Sequence, residues 1–240
     1  DLRFSLAACL DRAGQLDQSL VILKDIAQAA PDLFRKIRYL AYTASALHRD
    51  GRLEEAVEAY RKILEVDSQS MFALNNLSYL LGNDLGRVEE ALPYAQRAYQ
   101  ASRDDPTVLD TYGWTLALAG QYDRAISTLR SGIERDDQMT VLHFHLGETY
   151  YRSDNFDLAR QQFETALKLT AIRSEKTHLP DEDALLIHRR LGDIHARSGD
   201  TEQAGQHWRE AMSLAEKLRK TDVVNEIQTS LDALHAPSGD

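Results

Sequence analysis

Apolar residues along this chain come in stripes spaced three and four apart, and the stripes are separated by turn residues at near-regular intervals. In the segment Asp105–Ile126, Leu109, Tyr112 and Leu116 share one helical face, Gly120 interrupts it, and Tyr122 and Ala125 open a second stripe. The pattern predicts a helix, a tight turn and the start of another helix. The wording after the turn, Gly120-Gln-Tyr-Asp-Arg-Ala125, recurs up and down the chain. Upstream stand Gly14-Gln-Leu-Asp-Gln-Ser19, Gly51-Arg-Leu-Glu-Glu-Ala56 and Gly86-Arg-Val-Glu-Glu-Ala91; downstream stand Asp154-Asn-Phe-Asp-Leu-Ala159 and Gly199-Asp-Thr-Glu-Gln-Ala204.

The intervals between these turns are 37, 35, 34, 34 and 45 residues. Small residues recur where paired helices must cross: Ala44, Gly113, Gly147 and Gly192 on first helices, and Ala56, Ala91, Ala125, Ala159 and Ala204 on second ones. A small side chain lets two helix axes approach to about 8–10 Å and accept a large neighbour such as Tyr60, Phe163 or Trp208. An acid follows every turn (Asp17, Glu54, Glu89, Asp123, Asp157, Glu202), where the N-terminal end of the helix dipole favours negative charge. Asp154 replaces glycine at its turn, which left-handed backbone tolerates.

Three irregularities stand out. Pro31-Asp-Leu-Phe-Arg lengthens the first connection, and Leu85 is one residue too many before Gly86. The third is an insertion over 171–183, expected to be a helix overrun, a loop and a fresh acidic helix start. It reads either as a tolerated surface insertion or as a functional loop. After the sixth unit, Val223, Val224, Ile227, Leu231 and Leu234 form one more stripe, which predicts a capping helix over 221–235. The composition of 236–240 is that of a disordered tail.

A helix–turn–helix period of 34 residues resembles the tetratricopeptide repeat (TPR) family. Leu109, Tyr112, Gly113, Leu116, Gly120, Tyr122, Ala125, Leu129 and Gly132 fall on its large–small–large pattern. So do Leu146, Gly147, Tyr150, Phe156, Ala159, Phe163 and Ala166, and the resemblance extends over roughly residues 1–218. It implies an all-α fold: a right-handed superhelical α-solenoid of six repeats (1–33, 34–70, 71–105, 106–139, 140–171, 184–218) with a C-terminal capping helix, in a single domain over 1–235.

Charge and cysteine content narrow the function. With 28 basic and 38 acidic residues the net charge is −10, which argues against a nucleic-acid-binding body. Cys9 is the sole cysteine, so no intrachain disulfide forms; it sits in an apolar run and is expected to behave as a small hydrophobe. No apolar run reaches the ~20 residues of a membrane span. The chain opens at Asp1 in what reads as the inside of a helix, so we expect a fragment of a longer protein.

The family resemblance implies that first helices line a concave groove. Carried over by position, the groove residues are Arg38, Tyr42 and Arg49 in unit two; Asn75, Asn76, Tyr79 and Asn83 in unit three; and Asp110, Thr111 and Trp114 in unit four. Unit five offers Phe144, His145, Glu148, Tyr151 and Arg152, and unit six offers Arg189, Arg190, Asp193 and Arg197. Large aromatics on a face that helix packing does not require are what peptide-binding hot spots use, and Trp114 is the expected anchor. The alternative is that these rings fill gaps between helices. Asn75 and Asn76 suit an extended peptide, since an amide both donates and accepts. Arg152, Arg189, Arg190 and Arg197 would form a basic end for an acidic segment of a partner, or else a solvated face balanced by Glu148 and Asp193. The family's carboxylate clamp is not matched, because Thr107 and Thr111 stand where basic residues would be needed.

Catalytic chemistry finds no footing in the motifs. His143 and His145 point about 200° apart on a helix, and His145 with Glu148 lacks a third ligand. His188 and His195 fall on packing positions. We therefore expect no catalytic residue, metal or cofactor, no nucleic acid and no membrane insertion. The expected function is a non-catalytic interaction scaffold that holds a partner protein or extended peptide during complex assembly. Ala73-Leu-Asn-Asn-Leu-Ser-Tyr-Leu-Leu81 and Val108-Leu-Asp-Thr-Tyr-Gly-Trp114 resemble repeats of bacterial envelope and exopolysaccharide-export proteins, a lean towards the envelope (periplasm) over the cytoplasm. The alternatives are a recruiting module of a multidomain enzyme and self-association through the N-terminal end.

Overall fold

The amphipathic stripes become thirteen α-helices, with no strand among the described residues. The structure is a computed structural model and describes residues 1–172 and 177–235, the side chain of His235 excepted. The chain divides into two compact units, Asp1–Gln121 and Tyr122–Asp240.

The first unit holds α1 (Leu2–Arg12), α2 (Leu16–Gln28), α3 (Leu33–Arg49), α4 (Leu53–Val66), α5 (Met71–Tyr79), α6 (Val88–Ala101) and α7 (Pro106–Leu118). Its core runs through Ala44, Ala56, Tyr60, Ile63, Leu77 and Leu81, with a second cluster around Ala7, Leu23 and Tyr39. The second unit holds α8 (Tyr122–Arg135), α9 (Thr140–Arg152), α10 (Phe156–Thr170), α11 (Asp181–Arg197), α12 (Thr201–Lys217) and α13 (Thr221–His235).

The recurring small residues lie where helices cross. A Cβ placed on Gly147 would stand 2.6 Å from the Phe163 ring, and one on Gly192 would stand 2.3 Å from Trp208. Phe163 is fully buried, which contributes roughly 2–3 kcal/mol of hydrophobic stabilisation. Every second helix carries its acid in the first turn, from Asp17 on α2 to Glu202 on α12. The turn at Gly120 has φ +72°, and Asp154 adopts the same left-handed geometry at φ 60°. Arg219 does so as well, at φ 58°, between α12 and α13; nothing in its residue type announces that turn.

The irregularities resolve differently from expectation. Pro31–Arg35 does not lengthen the connection between α2 and α3. Asp32 caps α3 by accepting from the Arg35 amide at 2.8 Å, so Leu33, Phe34 and Arg35 become an extra first turn of a 17-residue helix. The surplus residue near Leu85 is absorbed by a π turn over Leu80–Asp84 that continues α5, with the Leu85 amide donating to the Leu80 carbonyl at 3.1 Å. Of the 171–183 insertion, 173–176 lie outside the described residues, as does the 236–240 tail. Beyond that gap Thr177 and Leu179 are buried, Leu179 in one core cluster with Phe163 and Ile187. The described part after the gap is therefore anchored at Thr177 and Leu179. Along α13, Ile227 and Leu231 pack into the cluster that contains Trp208.

Cys9 is exposed, contrary to its apolar setting in the sequence. It shares the outer stripe of α1 with Leu2 and Leu6, both exposed, while Ala7 alone is buried on that helix.

Candidate functional site

The side chains nominated from the first helices divide into three groups. Six of them are buried: Asp110, Thr111, Trp114, Phe144, His145 and Glu148. Trp114 is only 5% exposed, and its indole Nε1 donates to Asn83 Oδ1 at 2.9 Å. It is thus no open anchor, and the expectation of an exposed aromatic there is corrected. The physical reason is that α7 and α9 are enclosed nearly all round, with residues 108–117 and 142–150 buried as continuous runs. On such helices no face is left over for a ligand.

The second group ties each first helix to the next. In the first unit Asp11 on α1 accepts at Oδ2 from the Tyr42 hydroxyl at 2.7 Å and from Arg49 at 2.6 Å, both on α3. Burial and the Asp11 carboxylate raise the Tyr42 hydroxyl pKa. His48 on α3 reaches Asp84 in the π turn at 2.7 Å, and Asn83 beside it holds Trp114 of α7. In the second unit the Glu148 side chain, 0% exposed, accepts from Arg190 on α11 at 2.9 Å and lies 3.5 Å from Arg152. Arg190 also lies over the Tyr151 ring, 4.2 Å from its centroid. The Tyr151 hydroxyl donates to Asp193 at 3.2 Å, and Asp193 accepts from Trp208 at 3.1 Å. Burial and Asp193 raise the Tyr151 pKa. Arg189 pairs with Glu226 on α13 at 2.9 Å, and Arg197 lies over the Phe156 ring at 4.5 Å. The basic end expected from these arginines is therefore largely neutralised from within.

The third group is exposed or half-buried. Arg38 is exposed, its guanidinium 4.6 Å from the Phe4 ring centroid. On α5, Asn75, Asn76 and Tyr79 are half-buried, and Asn83 in the π turn is exposed. Asn76 donates to the Phe72 carbonyl of its own helix at 2.7 Å. Asn75 differs from these: its Oδ1 is buried without a hydrogen-bond partner, a state shared with Ser19 Oγ and Thr140 Oγ1. Buried polar atoms are normally paired, so each such atom marks a place where a partner belongs.

The metal-like histidines have structural partners. His143 is hydrogen-bonded at both ring nitrogens, to Gln162 at 2.8 Å and the Asp137 carbonyl at 3.1 Å. Among the described residues no group of three His, Cys, Asp or Glu side chains is placed to hold a metal ion. A feature that sequence reasoning missed is His207 on α12. Its Nδ1 sits 3.1 Å from Nδ1 of His188, and its ring stacks on His195 at 5.5 Å. The signal was the matching helix-pair position of His188 and His207, 19 residues apart.

The sequence profile of the tetratricopeptide repeat matches residues 43–106, 111–172 and 144–215, more than half of the chain. The chain belongs to the tetratricopeptide repeat family. Among TPR relatives it is 23% identical over 202 residues to tetratricopeptide repeat protein 8 of Caenorhabditis elegans, covering 82% of this chain and 37% of that protein. It is 31% identical over 110 residues to the TPR repeat-containing protein PA4667 of Pseudomonas aeruginosa, covering 45% of this chain and 18% of that one. The chain thus spans well under half the length of these curated relatives. Among solved structures, PilW, described as a widely conserved type IV pilus biogenesis factor, superposes with a TM-score of 0.72 at 17% identity, over 95% of this chain and 97% of PilW. PilF of Pseudomonas aeruginosa gives 0.65 at 18% identity, over 96% of each chain. YrrB, described as a TPR protein with an unusual peptide-binding site, gives 0.53 at 19% identity, over 86% of this chain and 96% of YrrB. At these identities the likeness establishes the fold, an all-α helix-repeat solenoid, and no helix among the described residues is long and apolar enough to cross a membrane.

Proposed function

We propose that this TPR chain is a non-catalytic binding module that takes an extended segment of a partner protein on the first-helix face of its Asp1–Gln121 unit. Asn75 and Asn76 would hold the peptide backbone, with Arg38, Tyr79 and Asn83 contacting side chains. The observation that supports this reading is Asn75 Oδ1, buried without a partner on a half-buried side chain, while neighbouring polar groups on this face are engaged. A peptide N–H is the donor such an amide lacks, and a small side-chain rotation would present it. YrrB, a fold neighbour, is described as having an unusual peptide-binding site, and PilW, another, as a type IV pilus biogenesis factor. We propose a bacterial envelope assembly as the setting of that partner. Because the chain covers so little of its longer relatives, a recruiting module within a larger protein is the second reading.

The test is selection of peptides from a random displayed library by the purified chain, followed by affinity measurement on Asn75→Ala/Asn76→Ala and on Arg197→Ala. The proposal expects at least a tenfold loss in the double variant, with an unchanged thermal midpoint, and no loss in Arg197→Ala. Equal affinity in the double variant would overturn it.

A further inference from the structure

On α5, Ala73, Leu74, Leu77 and Ser78 are buried. Phe72, Asn75, Asn76 and Tyr79 lie on the opposite side of the helix, none of them fully buried. Phe72 and Tyr79 are seven positions apart, which sets them nearly in line along the helix and about 10.5 Å from each other. Phe72 is 41% exposed although Tyr60 braces its ring, the two centroids 5.9 Å apart. Asn75 and Asn76 stand between the two rings, and Asn75 Oδ1 is buried without a hydrogen-bond partner.

A ligand for this face has to meet both rings and supply a donor to Asn75. A β-strand presents same-side residues every ~6.8 Å, so it meets one ring and misses the other. An α-helix has residues i and i+7 about 10.5 Å apart and meets both. Its interior N–H groups, however, are spent on its own carbonyls and leave nothing for Asn75. A polyproline II segment has three residues per turn and a rise of ~3.1 Å, so residues i and i+3 recur on one side every ~9.3 Å. The remaining difference of ~1 Å is covered by a small change of side-chain torsion. Its backbone makes no internal hydrogen bonds, so N–H groups are available.

Proline at i and i+3 holds φ near −65° and offers each aromatic ring a rigid apolar one. The residues between must keep their N–H, which proline lacks. We propose that the asparagine face of α5 takes a polyproline II segment of the form Pro-x-x-Pro. The two prolines sit on Phe72 and Tyr79, and a non-proline residue between them donates its N–H to Asn75 Oδ1. The inference rests on the peptide-binding reading of Asn75 given above and names the class of segment that reading leaves open.

The experiment is fluorescence anisotropy on the full chain with labelled peptides that carry a proline pair at i and i+2, at i and i+3, or at i and i+4, in a background of Ala, Ser and Gln. A fourth peptide is an Ala-rich helix with Leu at i and i+7. The i, i+3 peptide is expected to bind at least about tenfold tighter than the other three, and Phe72→Ala should erase that preference. The register scan alters only the peptide, so it remains decisive even where Phe72→Ala unfolds. Equal affinity in the three proline registers, tighter binding of the helix, or no binding of the i, i+3 peptide at about 1 mM overturns the inference. Peptides selected from a random library that weaken in Asn75→Ala/Asn76→Ala yet carry no proline pair at i and i+3 also overturn it, and leave the peptide-binding reading standing. A Pro-x-x-Pro peptide that binds the double variant as tightly as the parent chain overturns both.

Discussion

The two units solve one problem, tying each repeat to the next, with different balances of outer and inner ion pairs. At two turns of the first unit, Gly51 and Gly86, the next residue is an arginine that reaches back to an acid in the first turn of the previous second helix. Arg52 pairs with Asp17 at 2.7 Å and Arg87 with Glu54 at 3.0 Å, all on the surface. In the second unit the corresponding positions are Asn155 and Asp200, and the tie moves inward to Glu148 with Arg190 and Arg152. An exposed pair is screened and keeps much of its hydration, so it adds little stability. A buried carboxylate depends on its partners, and removing either side leaves an uncompensated charge. The first unit therefore adds a forgiving outer seam to its inner tie at Asp11, whereas the second depends on the fully buried tie at Glu148.

Breaking the inner seam gives the largest expected effect. Glu148→Ala should cost about 3 kcal/mol, the lower end of the range for a broken buried pair because both arginines retain some solvent contact. Chemical denaturation with Trp208 fluorescence reads this, and an unchanged midpoint would abolish the contrast between the units. Gly192→Ala comes next. Its methyl would meet Trp208 at 2.3 Å, and overpacking of this kind costs about 1–3 kcal/mol, with the near-ultraviolet circular dichroism of Trp208 changing in step.

Acid sharpens the comparison further. Burial, His188 and His195 depress the His207 pKa to about 4, and burial depresses that of His188. Two ring nitrogens 3.1 Å apart share one proton readily and a second one poorly. Glu210 on α12 is the charged group that opposes the shift of His188, and Asp200 stands 3.5 Å from His195. The unfolded chain binds protons near the ordinary histidine value of about 6.5 while the folded pair resists. The stability of the α11–α12 pair is thus complete above that pH and declines as pH falls towards 4. Hydrogen exchange should show α11 and α12 losing protection relative to α6, which contains no histidine, and His207→Gln should blunt the loss. The smallest effect belongs to the outer seam: Arg52→Ala should leave the thermal midpoint essentially unmoved at physiological salt. A marked drop would mean that the exposed ladder matters as much as the buried one.

Much of the scaffold was legible because its determinants are local. The turn glycines, the acid beside each helix dipole and the small residues at crossings all lie within a few positions of the feature they produce. Leu85 was readable as surplus, though not as a π turn. The candidate site was far less legible. Trp114 looked like a residue the packing did not need, yet it is enclosed and bonded to Asn83, 31 positions away. Tyr42, Arg49 and Arg190 looked like ligand contacts and are spent on Asp11 and Glu148, which lie 31, 38 and 42 positions from them. His207 escaped notice because its neighbour sits on another helix.

The sequence by itself determined the repeat: which segments are helices, where they turn, which positions must be small and which ends carry acid. These follow from backbone sterics, the helix dipole and hydrophobic period, all of which act over one or two turns. Only the tertiary structure decided which polar side chains are consumed between repeats and which stay exposed. Burial and ion pairing depend on what the next helix brings to within about 3 Å, and hydrophobic periodicity says which face is buried without saying against whom.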